Sequence, residues 1–152
     1  MINLRIGAAG IALFSSLAFS AVAVHAAHAA PQRATHFVAA LSGAGEVPAV
    51  TSEGKGTLRA TLNSKHTALN WKVTFSGLSG PVTAAHFHGP AAAGENTGVA
   101  IPLSGAMKSP ITGNAKLTPA QAADLLAGKW YLNLHTAANP NGEIRGQVMM
   151  KQ

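Results

Sequence analysis

In "ALNWKVTFSGL", residues 68–78, apolar and polar side chains alternate without a slip. Leu69, Trp71, Val73 and Phe75 fall on one side, and Asn70, Lys72 and Thr74 on the other. A period of two is the pattern of a strand with one buried face, and no helix gathers those residues on one stripe. "GTLRATLN" (56–63) repeats it, with Leu58, Ala60 and Leu62 set against Thr57, Arg59 and Thr61. Further β-like runs are "THFVAALSG" (35–43), "VTAAHFHG" (82–89), "GVAIPLSG" (98–105), "ITGNAKL" (111–117), "WYLNLHT" (130–136) and "GEIRGQVMM" (142–150). Gly, Pro, Ser and Asn punctuate them at "SGAG", "NSKHT", "SGLSGP", "LSGAMKSP" and "NPNGE". Short strands at that spacing predict an all-β fold, an antiparallel Greek-key-like β-sandwich or barrel of about eight strands.

One segment breaks the period. "LTPAQAADLLAGKW" (117–130) offers Thr118 as N-cap, Pro119 at the first helical position, Gln121 to complete a capping box and Gly128 as a stop. The spacing predicts one short helix near residues 118–127, with Ala122, Leu125 and Leu126 on its packed side.

The N-terminus carries a different signal. Met1 to Arg5 hold one positive charge, and Ile6 to Val24 run without a charged side chain but are diluted by Ser, Gly and Ala. With Ala27-His28-Ala29 supplying an A-x-A site, residues 1–29 read as a secretory signal peptide rather than a membrane anchor. Residues 30–152 are then a single exported domain, periplasmic or extracellular, with no transmembrane anchor after cleavage. The chain has no cysteine, so packing alone must hold it, and thiolate metal sites, thiol catalysis and covalent haem attachment are excluded. The formal charge of +6 comes from singly scattered Lys and Arg without interleaved aromatics, which excludes a nucleic-acid groove.

Chemistry concentrates at "AAHFHGPA" (84–91). On a strand His86 and His88 share a face, and Phe87 takes the other. Two imidazoles so placed can converge on one ion if a neighbouring strand brings a third ligand. His135, at the end of "WYLNLHT", shares its face with Tyr131 and Asn133 when Leu132 and Leu134 point inward. His86, His88 and His135 are the candidate metal ligands, on an outward face. Imidazoles without thiolate or carboxylate suit copper or zinc, of which copper binds more strongly. The same rings can instead cap strand ends and hydrogen-bond the backbone of the loops "GPAAAGENTG" and "TAANPNGE". His36, opening a strand, and His66, in a polar turn, are poor candidates.

No catalytic constellation emerges. A Ser-His-Asp hydrolase would need Asp124, the sole aspartate, which falls on the helix surface, and no G-x-S-x-G elbow exists. Nothing selects a glycosidase pair from Glu46, Glu53, Glu95 and Glu143. Glu143 and Arg145 share a face of the last strand as a structural charge pair, or Arg145 guides an anion toward the histidines.

Three stretches, "LSGAGEVPAVTSEGKGTL" (41–58), "LSGPVTAAHFHGPAAAGENTGVAIPL" (78–103) and "LTPAQAADLLAGKWYLNLHTAANPNGEIRGQV" (117–148), together resemble the CHRD domain family, named from the secreted protein chordin. The E-V-P turn, H-x-H-G-P-A, Y-x-N-x-H-T and G-E-I-R-G-Q occur in the family's order across residues 35–150. The resemblance implies an all-β extracellular domain without established catalysis. His86 and His88 are also similar to the H-x-H copper pair of copper-zinc superoxide dismutase, although this chain lacks that family's disulfide, zinc loop and bridging histidine. The expectation is therefore an exported CHRD-type binding domain that takes one copper ion, with a protein partner the residues do not name. The alternatives are a copper-dependent redox enzyme of dismutase type and a purely structural envelope or interaction protein.

Overall fold

The computed structural model describes residues 33–152, so the leader assigned to residues 1–29 lies outside the described residues. Each stretch with alternating or β-branched character forms a strand: β1 (Thr35–Ser42), β2 (Lys55–Leu62), β3 (Ala68–Ser76), β4 (Val82–His88), β5 (Val99–Pro102), β6 (Ile111–Lys116), β7 (Tyr131–Thr136) and β8 (Ile144–Gln147). The last run is interrupted at Val148, and Met149–Met150 form a separate short β9. Val148 is fully buried and its N–H donates to the Trp130 carbonyl, which takes the strand out of line for one residue.

All pairings are antiparallel, in the order β5-β4-β7-β8-β1-β2-β3-β6. The result is a nearly closed barrel of eight strands, with β9 added beside β1. The chain crosses between two halves, from β3 to β4, from β5 to β6, and from β6 to β7. The last crossing carries α1 (Pro119–Leu126), whose start is the full capping box of Thr118 and Gln121. Gly128, with φ of +70°, ends it in a left-handed conformation that glycine adopts without strain.

The barrel interior is filled by the apolar sides of the strands. Leu58, Leu62, Leu69, Val73, Phe87, Leu132, Leu134 and Ile144 have no accessible surface. Each such residue contributes about 1.5–3 kcal/mol relative to remaining exposed. Phe87 joins the halves, edge-on to Trp71 at 5.4 Å and tilted against Trp130 at 5.8 Å. Leu125 of α1 is also fully buried.

The two halves differ on their outer sides. Arg59, Asn70, Lys72 and Thr74 on β2 and β3 face solvent, as their alternation predicts. All six residues of β7 are buried, polar ones included. The outer face of β4, β7 and β8 is roofed by the chain at 43–50, 90–97 and 137–143, and it carries a second, polar core: Glu46, His88, Asn133, His135 and Arg145. An outward-facing cluster was expected here. The histidines do point away from the apolar core, but the loops close over two of them, leaving His88 8% and His135 9% exposed while His86 stays partly exposed.

Candidate metal centre

The pairing of β4 with β7 brings the three histidines together. In the register His86 faces Asn133 and Ala84 faces His135, so His86 and His135 meet on the diagonal. His86 Nδ1 lies 3.0 Å from His135 Nε2. One nitrogen from each of His86, His88 and His135 lies within 4.8 Å of the others. An ion with bonds of about 2.0 Å in tetrahedral geometry needs ligand nitrogens about 3.3 Å apart, so the widest separation would have to close by about 1.5 Å for one ion to touch all three.

The proton positions follow from the partners. A carbonyl oxygen can only accept, so His88 Nδ1–H donates to Thr97 O at 2.9 Å and His135 Nδ1–H donates to Pro140 O at 3.0 Å. Each ring does what the loop-capping reading asked of it, and uses one nitrogen to do so. The other is left as a lone pair: His88 Nε2 is buried with no hydrogen-bond partner. His135 Nε2 lies 3.0 Å from both His86 Nδ1 and Asn133 Oδ1, so two carbonyl oxygens, Pro140 O and Asn133 Oδ1, compete for the proton of this ring. An imidazole anchored to a carbonyl through one nitrogen and free at the other is the arrangement that orients metal-ligating histidines. Burial lowers the pKa of His86, with His135 and His88 adding to the shift. It also lowers that of His135, against the opposing Pro140 hydrogen bond. Both shifts favour neutral, ligating imidazoles.

Behind the cluster stands a layered stack. The His88 ring lies parallel to the Tyr131 ring at 4.7 Å, and the Arg145 guanidinium covers the opposite side of Tyr131 at 3.4 Å from its centroid. Arg145 Nη1 donates to Asn96 Oδ1 at 2.7 Å and Nη2 to Glu95 O at 2.6 Å, which pins the loop whose Thr97 carbonyl orients His88. Asn96 in turn donates to Val47 O at 2.8 Å, tying two roofing loops together.

Two expectations about this face change. Glu143 and Arg145 do not form a charge pair. Glu143, fully buried, accepts from Ser52 Oγ, Ser79 N, Ser79 Oγ and Thr136 Oγ1 at 2.6–2.8 Å. Burial alone would raise its pKa, but these donors outweigh it and hold the carboxyl at about 2. Arg145 is 2% exposed and both terminal nitrogens are engaged, so it offers no guide for an incoming anion. His36 and His66 lie apart from the cluster; His36 bonds Thr61 and His66 occupies a turn with φ of 56°.

Sequence reasoning named Glu46, Asn133 and Tyr131 without giving them a part in this site, and passed over Thr97 and Pro140. Glu46 is 7% exposed, and its Oε1 has no hydrogen-bond partner. Burial raises its pKa to about 7, against the lowering effects of the Arg145 cation and the Asn133 amide. Gly142, with φ of +130°, packs on that carboxyl so closely that a Cβ would sit 2.5 Å from Oε1. The pattern "YLNLH" held the one available signal, since Tyr131, Asn133 and His135 necessarily share a strand face.

The barrel and the roofed imidazole group define a β-barrel domain with a candidate metal centre. The chain belongs to the CHRD domain family, whose family model matches residues 37–148. Among curated proteins and solved structures nothing matches the chain. Among the described residues no helix is long and apolar enough to cross a membrane.

Proposed function

We propose that this CHRD domain is an exported metal-binding module that holds one copper ion through His86, His88 and His135. The observation that carries the reading is His88 Nε2, a buried nitrogen without a partner, in a group where one nitrogen from each of His86, His88 and His135 lies within 4.8 Å of the others. An unpaired buried acceptor costs about 1–3 kcal/mol, which a bound ion recovers. Copper is favoured over zinc because imidazole sites bind it more strongly. Residues 1–29, with their apolar run and A-x-A site, support export, and cleavage leaves Ala30 at the N-terminus.

Calorimetric titration of copper into residues 30–152 tests the metal reading. The expected result is one saturable site that is lost in His88→Ala and His135→Ala and kept in His36→Ala. Equal binding by wild type and the first two variants would overturn it. Mass spectrometry of the protein from periplasmic and culture fractions tests export, with a chain starting at Ala30 as the expected product.

A further inference from the structure

We infer that the cluster is built for a monovalent ion of the copper(I) class, and that Arg145 is the residue that sets this preference. The inference rests on the metal reading above and adds the charge of the ion.

The candidate shell contains imidazole nitrogens alone, and no carboxylate belongs to the group. The heteroatom placed next to them, Asn133 Oδ1, is neutral as well. A divalent ion in such a shell keeps its full double charge in a site where His88 and His135 are more than nine-tenths buried and only His86 is partly exposed. Burying charge without an anionic partner is costly, and a single charge costs much less than a double one. Copper(I) also accepts a shell of three imidazoles without a further ligand.

A fixed cation stands one aromatic ring away from the shell. Arg145 is 2% exposed, lies against Tyr131, and is held there by Asn96 and Glu95. Its charge is permanent at any pH the protein meets. Repulsion between a buried cation and a bound ion scales with the ion's charge, so Arg145 penalises copper(II) and zinc(II) twice as heavily as copper(I). The carboxyl facing Arg145 is that of Glu46, whose desolvation holds it at about 7, so near neutrality it offsets only part of the guanidinium charge.

Three affinities of residues 30–152 test this directly: copper(I) by competition with a chromophoric chelator under reducing anaerobic conditions, and copper(II) and zinc(II) by calorimetry. Copper(I) is expected to bind more tightly than either, by about tenfold or more, against the ordinary order in which copper(II) leads at imidazole sites. Tighter binding of a divalent ion overturns the inference while leaving the metal reading intact. No binding of any of the three overturns both.

The role of Arg145 is read from the reduction potential of the copper-loaded protein. Arg145→Gln removes the cation and is expected to lower the potential by about 59 mV, one tenfold change in the affinity ratio of the two oxidation states. Arg145→Lys keeps the charge and loses the planar fork, so it is expected to stay near wild type. A role confined to positioning the loop would weaken both oxidation states alike in either variant and leave the potential unchanged, which overturns the assignment. If Arg145→Gln does not fold, Arg145→Met, neutral and of similar length, takes its place with the same expected fall of about 59 mV, and an unchanged potential overturns the assignment.

Discussion

His86 Nδ1 lies 3.0 Å from His135 Nε2, although the strand register pairs His135 with Ala84. With both rings neutral and the His135 proton directed at Pro140 O, His86 Nδ1–H is the donor in this contact. An ion bound at both nitrogens displaces that proton to His86 Nε2. In nitrogen-15 spectra of the imidazoles, the expected outcome is a slowly exchanging His86 Nδ1 proton that vanishes when one equivalent of a diamagnetic probe, zinc(II) or silver(I), is added. A persistent Nδ1 proton in the loaded protein would count against His86 as a ligand through that atom.

Glu143 holds the roof to the barrel through donors from three separate segments. Hydrogen bonds to a charged group are worth about 1.5–3 kcal/mol, so Glu143→Gln is expected to cost about 2 kcal/mol or more at pH 7 by urea unfolding. The carboxyl titrates at about 2 in the folded protein, below its ordinary value of 4.5. A depressed value means stability that is fully present above pH 4.5 and is lost as pH falls through 2. The gap between wild type and variant should therefore narrow over that interval, and a gap independent of pH would contradict the assignment.

Glu46 has the opposite sign. Its carboxyl is raised to about 7 from 4.5, so the folded chain keeps a proton that the unfolded chain releases. Its contribution is largest below pH 4.5 and declines as pH rises through 7, by on the order of 3 kcal/mol. Glu46→Gln is expected to remove this slope from unfolding free energies measured at pH 5, 6, 7 and 8. An unchanged slope would place the titration elsewhere.

Phe87 separates the two strand histidines and touches both core tryptophans. Phe87→Ala is expected to cost about 3–5 kcal/mol, and Phe87→Leu about 1.5 kcal/mol or less. Since its side chain faces away from the imidazoles, Phe87→Leu should leave ion affinity within about twofold under folded conditions. Affinity falling in step with stability would show that the cluster depends on the core side of β4.

Thr118→Ala removes one cap bond from α1 and is expected to cost about 1 kcal/mol. The helix lies on the β6 to β7 crossing with Ala122 and Leu125 in the apolar core, so the variant serves as a destabilised control with normal ion binding.

The strands and helix were legible because each is decided by neighbours in the chain: alternation at Leu58 to Leu62 and Leu69 to Phe75, and the capping box at Thr118 and Gln121. The shared face of His86 and His88 follows from the same alternation. What brings His135 to them is the placement of β4 beside β7, a pairing across more than forty residues that no local pattern records. The roof was equally hidden, since it depends on where long loops fold back. Arg145 shows why: two residues from Glu143, it turns across Tyr131 to reach Asn96, and the charge pair expected from spacing gives way to two separate hydrogen-bond sets.

β1 has β2 along one edge, while its other edge is served by β8 at Ser42 and by β9 at Phe37 and Val38. A growing polypeptide lays down β1 early and cannot supply those partners until it has been made through Met150. The barrel is sealed by a late segment, and an incomplete copy presents a bare strand edge. A chain that ends before Met150 leaves that edge of β1 open to pairing with other chains.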